Sequence, residues 1–185
     1  MKKLIIIAGP SGVGKTTISR YLTQKYNIPR VITHTTRPLR SGEQDGVDYY
    51  FESADSFRQL HFFEHVKYGS YQYGSSRESL QKSFEKSDIV SLIVETAGVH
   101  TYLQELPAQA VFVYLTVSEP AELAQRLEER GDTKSQIEKR LHSPEFKRDL
   151  ALDDDLLQRA HIIKNDSLDA AKAAIDQLIE SLTNV

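Results

Sequence analysis

The strongest constraint on this chain is the segment GPSGVGKT at 9–16, which directly follows the apolar run LIIIA at 4–8. The segment matches the P-loop pattern, in which a strand leads into a glycine-rich turn and the turn leads into a helix. Backbone N–H groups and the positive end of the helix dipole then converge on one anion. We expect Gly9, Gly12 and Gly14 to adopt positive φ and to leave room for a phosphate. The pattern therefore predicts an α/β fold that binds a nucleoside triphosphate.

Two side chains of this loop have roles that follow from the motif. Lys15 is expected to reach the β- and γ-phosphates, and the hydroxyl of Thr16 is expected to hold Mg²⁺. The residues that we expect to bind the triphosphate are Gly9, Ser11, Gly12, Val13, Gly14, Lys15, Thr16 and Thr17. The alternative, an ordinary glycine turn before a helix, is disfavoured by the strand pattern that precedes the loop.

Composition excludes several other classes of protein. A net charge of −3 over 185 residues gives no general attraction to nucleic acid. The absence of cysteine excludes disulfides and thiolate metal sites and fits a reducing compartment. The first apolar run is too short to span a bilayer, so we expect neither a signal peptide nor a membrane anchor. These features predict a cytoplasmic, single-domain protein with no nucleic-acid or membrane partner. The P-loop indicates small-molecule substrates, and the sequence leaves open whether the protein is a monomer or a homodimer.

Apolar strand patterns alternate with helical patterns along most of the chain. The predicted core strands are 3–8, 30–33, 89–95, 110–116 and 160–164. The predicted helices are a first helix from the P-loop to about Tyr26, then 76–86, 119–130 and a last helix from Ser167. Such an alternation indicates a parallel sheet covered by helices on both faces, with ligands bound at the carboxyl ends of the strands.

Residues 34–84 interrupt this alternation with a stretch that is richer in aromatic and polar residues. Short strands are predicted there at 49–51, 62–66 and 72–73, with a turn at 69–70. Arg37 and Arg40 lie in one loop close to several hydroxyl side chains, and planar guanidinium groups suit a dianionic phosphate. A solvated basic loop would explain the same two arginines, so the residues alone leave both interpretations open.

The segment THTTRPLRSGEQDGVDYYF at 33–51 resembles the signature of the guanylate kinase family. The similarity continues through FEH at 63–65, YGS at 73–75, RLEERG at 126–131, IEKRL at 137–141 and ND at 165–166. The resemblance implies a P-loop NTPase parallel sheet flanked by helices, with a core of 1–33 and 85–185. It also implies a small β-rich insertion at 34–84 that binds a nucleoside monophosphate, and a helical lid at 131–150. The implied reaction is transfer of the γ-phosphoryl group of ATP to GMP or dGMP, with Mg²⁺ as cofactor.

Carried over to matching positions, the resemblance assigns residues to each task. It implies that GMP is bound by Thr33, Arg37, Arg40, Tyr49, Glu64, Tyr73, Ser75 and Glu95. It adds Arg126, Arg130 and Asn165 to the ATP site. The catalytic residues would be Lys15, Arg37, Arg130 and Arg140, and the metal would be held by Thr16, with Glu95 as a second candidate ligand. Glu64 would accept hydrogen bonds from guanine N1–H and N2–H₂, which gives it the task of base discrimination. Without the flanking motif, Glu64 would be interpreted as a surface charge in an amphipathic strand. For Tyr49 and Tyr73, the alternative interpretation is that they are core aromatics of the insertion.

The chain also departs from the family pattern. Ile93, Glu95 and Ala97 stand where the family has the two aspartates and the glutamine of Asp-x-Asp-x-Gln-Gly, so one carboxylate remains where the family has two. The interval from Arg130 to Arg140 is one residue shorter than expected, which on a helix is about 100° of rotation. Thr33 replaces a serine and keeps its hydroxyl.

Two alternative functions remain open at this point. One is a kinase of the same fold that acts on another phosphorylated acceptor, such as a ribose phosphate. The other is a catalytically weak guanylate kinase-like binding module. Glu64, Tyr73 and Ser75 argue against the first, because a sugar acceptor has no use for a carboxylate that reads a base. Lys15 and Thr16 argue against the second, because a binding module needs no working P-loop.

Overall fold

Strands and helices alternate along the chain, as the sequence predicts for the core. The computed structural model describes residues 2–40, 42–68 and 70–183. In chain order the elements are β1 (Lys3–Ala8), α1 (Lys15–Tyr26), β2 (His34–Thr35), β3 (Tyr50–Phe51), α2 (Ala54–Arg58), β4 (Phe62–Tyr68), β5 (Tyr71–Ser76), α3 (Arg77–Phe84), β6 (Ile89–Ile93), α4 (Thr96–Glu105), β7 (Ala110–Thr116), α5 (Glu122–Glu129), α6 (Lys134–Leu141), α7 (Pro144–Asp149), α8 (Asp154–Arg159), β8 (His161–Lys164) and α9 (Leu168–Thr183).

A parallel sheet with the order β6-β1-β7-β8 forms the core. β1 lies in its interior, and residues 4–8 are fully buried. Alternate residues of β1 belong to two apolar clusters, with Ile5 and Ile7 packed with α1 and α9, and Leu4 and Ile6 packed with α3 and α4. A strand buried on both faces needs a continuous apolar run, which explains the composition of β1. The predicted α/β class with a parallel sheet flanked by helices is confirmed.

The predicted strand at 30–33 is wrong. Only one pair in this segment, Arg30 with Ser91, forms a β-bridge. Two backbone hydrogen bonds hold it to β6, from Val31 N–H to Ser91 O (2.7 Å) and from Ser91 N–H to Pro29 O (2.9 Å). The chain leaves the edge of the core sheet at once to enter the second sheet, so no ladder can develop.

The predicted strand at 89–95 ends early, at Ile93, because Glu95 becomes the N-cap of the unpredicted helix α4. The predicted helix 119–130 begins only at Glu122, and the predicted strand 160–164 begins at His161. Helix α3 begins after Ser76, whose side chain accepts a hydrogen bond from Ser79 N–H. Apart from α4, these are shifts at element ends, where hydrogen-bonding and propensity signals are weakest.

The insertion forms a second sheet with the order β3-β2-β5-β4. β4 and β5 pair as antiparallel strands that are longer than predicted, and Glu64 lies opposite Ser75 in their register. β2 and α2 were not predicted. Of the predicted turn at 69–70, Gly69 lies outside the described residues.

Residues 131–150 hold the two helices α6 and α7. A capping box between Thr133 and Gln136 starts α6, and Ser143 caps α7, which has Pro144 in its first turn. Phe146 of α7 is buried in the apolar cluster that also contains Val13 of the P-loop. Across the described ranges, no helix combines the length and apolar character that a membrane span requires.

Candidate active site

The P-loop joins β1 to α1 with three glycines at positive φ, as predicted. Their φ angles are 143° at Gly9, 87° at Gly12 and 101° at Gly14. A Cβ atom on Gly9 would lie 2.2 Å from the carbonyl oxygen of Leu115. The loop therefore packs directly on the end of β7, and only glycine fits there.

The N-terminus of α1 is open toward the loop. Its N-cap is Gly14, and no side chain in the described part of the chain caps it. The first N–H groups of a helix have no partner within the helix, and together with the helix dipole they attract an anion. This end of α1 is suited to a phosphate.

Lys15 lies folded across the loop and is half-buried. Its Nζ donates hydrogen bonds to the carbonyl oxygens of Gly9 (2.6 Å) and Pro10 (3.0 Å). Burial lowers the pKa of Lys15 to about 8; the carboxylates of Asp149 and Glu95 oppose this, while Arg140 and Arg130 add to it. The charged groups near this ammonium are thus the two arginines Arg130 and Arg140 and the carboxylates of Glu95 and Asp149.

A cavity of about 590 Å³ opens in front of the P-loop. Its lining residues are Ser11, Gly12, Gly14, Lys15, Thr16, Thr17, Arg126, Arg130, Asn165 and Leu168. Leu168 was not predicted. It begins α9 and keeps 39% of its surface exposed, so it offers an apolar wall that the sequence did not distinguish from an ordinary surface leucine.

Asn165 fixes the floor of this cavity. Its Nδ2 donates to the carbonyl oxygen of Val13 (2.7 Å), and a Cβ atom on Gly14 would lie 2.4 Å from the same Nδ2. Arg126 donates to the backbone oxygen of Asn165 (2.8 Å). Asn165 is buried, and its side chain is bonded to the P-loop. The side chain of Val13 is fully buried, so a ligand could contact Val13 only through its backbone.

The lid arginines reach the P-loop despite the shortened interval between them. Arg140 of α6 donates to Ser11 Oγ at 3.3 Å. Arg130, at the end of α5, lines the cavity and forms an ion pair with Asp132. The missing residue therefore does not turn Arg140 away from the site.

Arg37 forms the centre of a polar cluster in the insertion. It is buried, and its Nη1 and Nη2 donate to the two carboxylate oxygens of Glu43 at 3.0 and 2.7 Å. Nη1 also donates to Pro38 O at 2.7 Å. The ion pair with Glu43 raises the pKa of Arg37 and lowers the pKa of Glu43. Of the five N–H groups of a guanidinium, these bonds use three, which leaves the Nε edge for an anion.

The predicted tyrosines surround this arginine. The ring centroids of Tyr49 and Tyr73 are 6.1 Å apart, and the Arg37 guanidinium lies 5.8 Å from the Tyr49 ring. Arg40 joins the cluster through its backbone N–H, which donates to Glu43 Oε2 at 2.8 Å, while its side chain is exposed. The structure thus brings together the side chains of Arg37, Tyr49 and Tyr73, whereas Arg40 joins them only through its backbone.

Glu64 lies against the first turn of α4. A Cβ atom on Gly98, the third residue of this helix, would lie 1.8 Å from Glu64 Oε2, so the carboxylate occupies the space that a side chain there would take. Burial raises the pKa of Glu64 to about 7; Glu95 adds to the rise and Arg148 opposes it. A desolvated carboxylate of this kind favours ligands that donate hydrogen bonds to it and strongly disfavours ligands that leave it without a donor.

Ser75, opposite Glu64, is bonded through its Oγ to the hydroxyl of the buried Tyr102. Burial raises the pKa of Tyr102, which keeps it a neutral donor or acceptor. Thr33 comes directly before β2, and its carbonyl oxygen accepts from Tyr50 N–H (2.9 Å). The predicted base-binding residues therefore lie on the two strands β4 and β5 and at the start of β2.

Comparison with known proteins agrees with this geometry. The family model for guanylate kinase matches residues 1–182. The chain belongs to the guanylate kinase family. A guanylate kinase of Thermosynechococcus vestitus is 34% identical over 185 residues, which cover 97% of this chain and 94% of that protein. One from Synechococcus sp. is 32% identical over 183 residues, covering 96% of this chain and 82% of that protein. The resemblance seen at 33–51 is confirmed.

Solved structures agree on the fold. The crystal structure of guanylate kinase from Anaplasma phagocytophilum matches 97% of this chain and 85% of that chain, with a TM-score of 0.64 at 20% identity. A gluconokinase from Sinorhizobium meliloti 1021 matches 98% of this chain and 95% of that chain, with a TM-score of 0.51 at 14% identity. Because kinases of different names share this fold, the acceptor must be argued from the side chains.

One segment of this guanylate kinase differs from the family pattern. Ile93 ends β6 and packs at the edge of the core, whereas Glu95 is exposed at the start of α4. Glu95 Oε2 accepts a hydrogen bond from Nη2 of Arg148 at 2.8 Å. The sequence pattern gives no sign of this partner, because Arg148 lies 53 positions further along the chain, in helix α7.

Proposed function

We propose that this chain transfers the γ-phosphoryl group of ATP to GMP, and to dGMP, giving GDP or dGDP. The observation that carries the proposal is the position of Glu64. Its desolvated carboxylate lies on Gly98 and opposite Ser75, close to the cluster of Arg37, Tyr49 and Tyr73 on the same small sheet. A site with a base-reading carboxylate beside a phosphate-binding cluster suits a guanine nucleotide monophosphate.

The donor nucleotide is assigned to the cavity in front of the P-loop. The open N-terminus of α1, Lys15 and the glycine backbone suit the triphosphate. Arg126, Asn165 and Leu168 line the part of the cavity that would receive the nucleoside. ATP is the donor that the family resemblance implies.

In-line transfer needs positioning and charge neutralisation more than covalent help from the protein. An oxygen of the GMP phosphate forms a bond to the γ-phosphorus while the bond to the ADP oxygen breaks. The acceptor phosphate is already an oxyanion at neutral pH, so no general base is needed. Arg37 would orient the acceptor, and Lys15, Arg130 and Arg140 would neutralise the charge on the transferring group. Closure of the lid at 131–150 would exclude water and so prevent wasteful ATP hydrolysis.

Mg²⁺ fits the residues present. Thr16 lines the cavity beside Lys15, and Mg²⁺ in such sites takes one or two protein oxygens, with phosphates and water as its other ligands. Bound Mg²⁺ would neutralise charge on the phosphate chain. The pairing of Glu95 with Arg148 favours an acceptor-site role for this carboxylate over a metal-binding role.

The remaining parts of the proposal concern organisation. We infer a single domain over 1–185, with a core of 1–33 and 85–185 that carries the insertion at 34–84 and the lid at 131–150. A cytoplasmic location and a monomer or homodimer fit the composition, with ATP and GMP as the small-molecule partners.

The test is a coupled assay of ADP release with Mg·ATP and a panel of acceptors: GMP, dGMP, AMP, UMP, CMP and ribose 1,5-bisphosphate. Turnover confined to GMP and dGMP is expected. Turnover with the ribose phosphate alone would support the alternative acceptor. ATP binding without turnover of any acceptor would support a binding module.

A further inference from the structure

A group of four residues at the start of α4 joins the end of the lid to the acceptor site. Helix α7 follows the lid helix α6 and ends with Arg148 and Asp149. Glu95 and Thr96 begin α4. Phe146 of α7 is buried in the apolar core, and hydrogen bonds from Arg148 and to Asp149 join the end of this helix to the start of α4.

Arg148 is the central member of this group. Its Nη2 donates to Glu95 Oε2 (2.8 Å), and its Nε lies 3.2 Å from Asp149 Oδ1 and 3.3 Å from Thr96 Oγ1. Buried Asp149 also accepts from the Thr96 hydroxyl at 2.5 Å. The guanidinium thus contacts three acceptors through two separate nitrogens, Nε and Nη2, whereas a lysine ammonium has all of its donors on one nitrogen.

Glu95 lies next to the base-reading carboxylate. It is the N-cap of α4, and Glu64 packs on Gly98 in the first turn of the same helix. Two carboxylates this close repel each other, and Ile93 supplies no further acceptor where the family has a carboxylate. A cation at Glu95 removes part of this repulsion and fixes the orientation of the side chain.

The exposure of the pair indicates that its role is not mainly in stability. The side chains of Arg148 and Glu95 are 39% and 48% exposed. Ion pairs with this exposure are screened by solvent and contribute little to the stability of the fold. Such an ion pair can still orient the Glu95 side chain toward a bound ligand, and correct orientation of a binding group affects affinity and rate strongly.

We propose that Arg148 is a positioning residue of the acceptor site, which holds Glu95 beside Glu64 so that the two carboxylates bind the guanine ring together. The proposal rests on the proposed function as a kinase of GMP. Arg148 itself does not touch the reacting atoms. It ties the last helix of the lid region to the recognition of the acceptor base.

The experiment compares steady-state kinetics of the wild-type protein with R148M, R148K, E95Q and the double variant R148M/E95Q. R148M is expected to raise the KM for GMP about tenfold, while the KM for ATP changes less than about twofold. R148K should recover part of the loss. E95Q should raise the KM for GMP to a similar extent, and the double variant should be no worse than E95Q, because both changes remove one interaction.

Arg159→Met is the matched control, since it removes another exposed arginine that is paired with a carboxylate, Asp155 at 3.2 Å. It should leave both KM values unchanged. If R148M does not fold, R148K and E95Q test the proposal instead, because each is expected to raise the KM for GMP more than the KM for ATP.

Three results would overturn the proposal. The first is an R148M variant with unchanged KM for GMP, and the second is an equal rise of both KM values. The third is a double variant whose loss equals the product of the single losses. In each case a wild-type protein that phosphorylates GMP would leave the proposed function intact, whereas a wild-type protein inactive toward GMP would overturn both.

Discussion

Glu64 and Lys15 lie at opposite ends of the proposed site, and burial disfavours the charged form of each. Burial raises the pKa of Glu64 to about 7 and lowers the pKa of Lys15 to about 8. The carboxylate of Glu64 and the ammonium of Lys15 are therefore both mainly charged only between about pH 7 and 8. A shift of this kind is typical of groups that work in a ligand site.

The pH dependence of kcat/KM should follow these two groups, since this parameter reports the free enzyme. A raised carboxyl pKa means that Glu64 is protonated as the pH falls below about 7, so kcat/KM for GMP should fall there. A lowered ammonium pKa means that Lys15 becomes neutral above about 8, so kcat/KM for ATP should fall there. The measurement is initial rate against pH at limiting GMP or limiting ATP. Profiles that stay flat between about pH 6 and 9 would contradict this account.

Replacement of Gly98 by alanine tests the contact between α4 and Glu64. The new Cβ would lie 1.8 Å from Glu64 Oε2, so the carboxylate must move. We expect kcat/KM for GMP to fall about 100-fold, as for the loss of a charged hydrogen-bonding group. Stability should not fall to the same degree, because alanine is the better helix former by about 1 kcal/mol.

Gln104→Ala is the control, because it changes an exposed position on the same helix. Kinetics with GMP and thermal unfolding of both variants make the measurement. A Gly98→Ala protein with normal kcat/KM for GMP would show that Glu64 can work from another position.

At the scale of elements, the sequence predicted those parts whose signal is local. The strands β1 and β7 are continuous apolar runs, and the P-loop is a complete motif, so their positions were correct. Helix α4 was missed because it has no side-chain cap and contains the glycine on which Glu64 packs. The prediction of a strand at 30–33 is wrong because a β-branched pattern does not show over how many residues the segment pairs with a neighbouring strand, here a single bridge to Ser91.

The candidate site was predictable to a similar extent. The lid arginines lie at the P-loop, and Arg37, Tyr49 and Tyr73 cluster in the insertion, because a motif fixes residue type and spacing. Their roles in binding and catalysis stay predictions. Arg148 and Asp149 were not predicted, since their partners Glu95 and Thr96 are separated from them by 53 positions and a complete strand. Contacts of that kind depend on tertiary packing alone.

Helix α6 provides a test of the lid. Arg140 donates to Ser11 of the P-loop, so it is placed to reach a transferring phosphoryl group. Arg140→Met should lower kcat by about 1,000-fold, in the range of arginines that neutralise such a group, with a smaller effect on the KM for ATP. Single-turnover kinetics would separate the chemical step from product release.

Lys139→Met, at the exposed neighbouring position of the same helix, is the matched control and should keep kcat. Equal losses in the two variants would mean that the net charge of the helix matters, rather than the reach of Arg140.

The whole molecule consists of two sheets with different tasks. The parallel sheet carries the P-loop at the end of β1, and the smaller sheet carries the cluster proposed to bind the acceptor phosphate and the carboxylate proposed to read its base. Helix α4 starts where β6 ends, and Glu64 of the small sheet packs on its first turn, so the two proposed nucleotide sites would meet at this point. The lid helices reach both sites, through Arg140 at the P-loop and Arg148 at Glu95.

The central claim is that Glu64 selects guanine as the acceptor base. The most direct measurement is kcat/KM for GMP and for AMP with the wild-type protein and with Glu64→Gln, at saturating Mg·ATP. We expect the wild-type protein to prefer GMP by about 10,000-fold, as a site built to satisfy a buried polar group does. The variant should lose most of this preference through a lower kcat/KM for GMP, with the KM for ATP unchanged. A variant that phosphorylates GMP as well as the wild-type protein does would contradict the account.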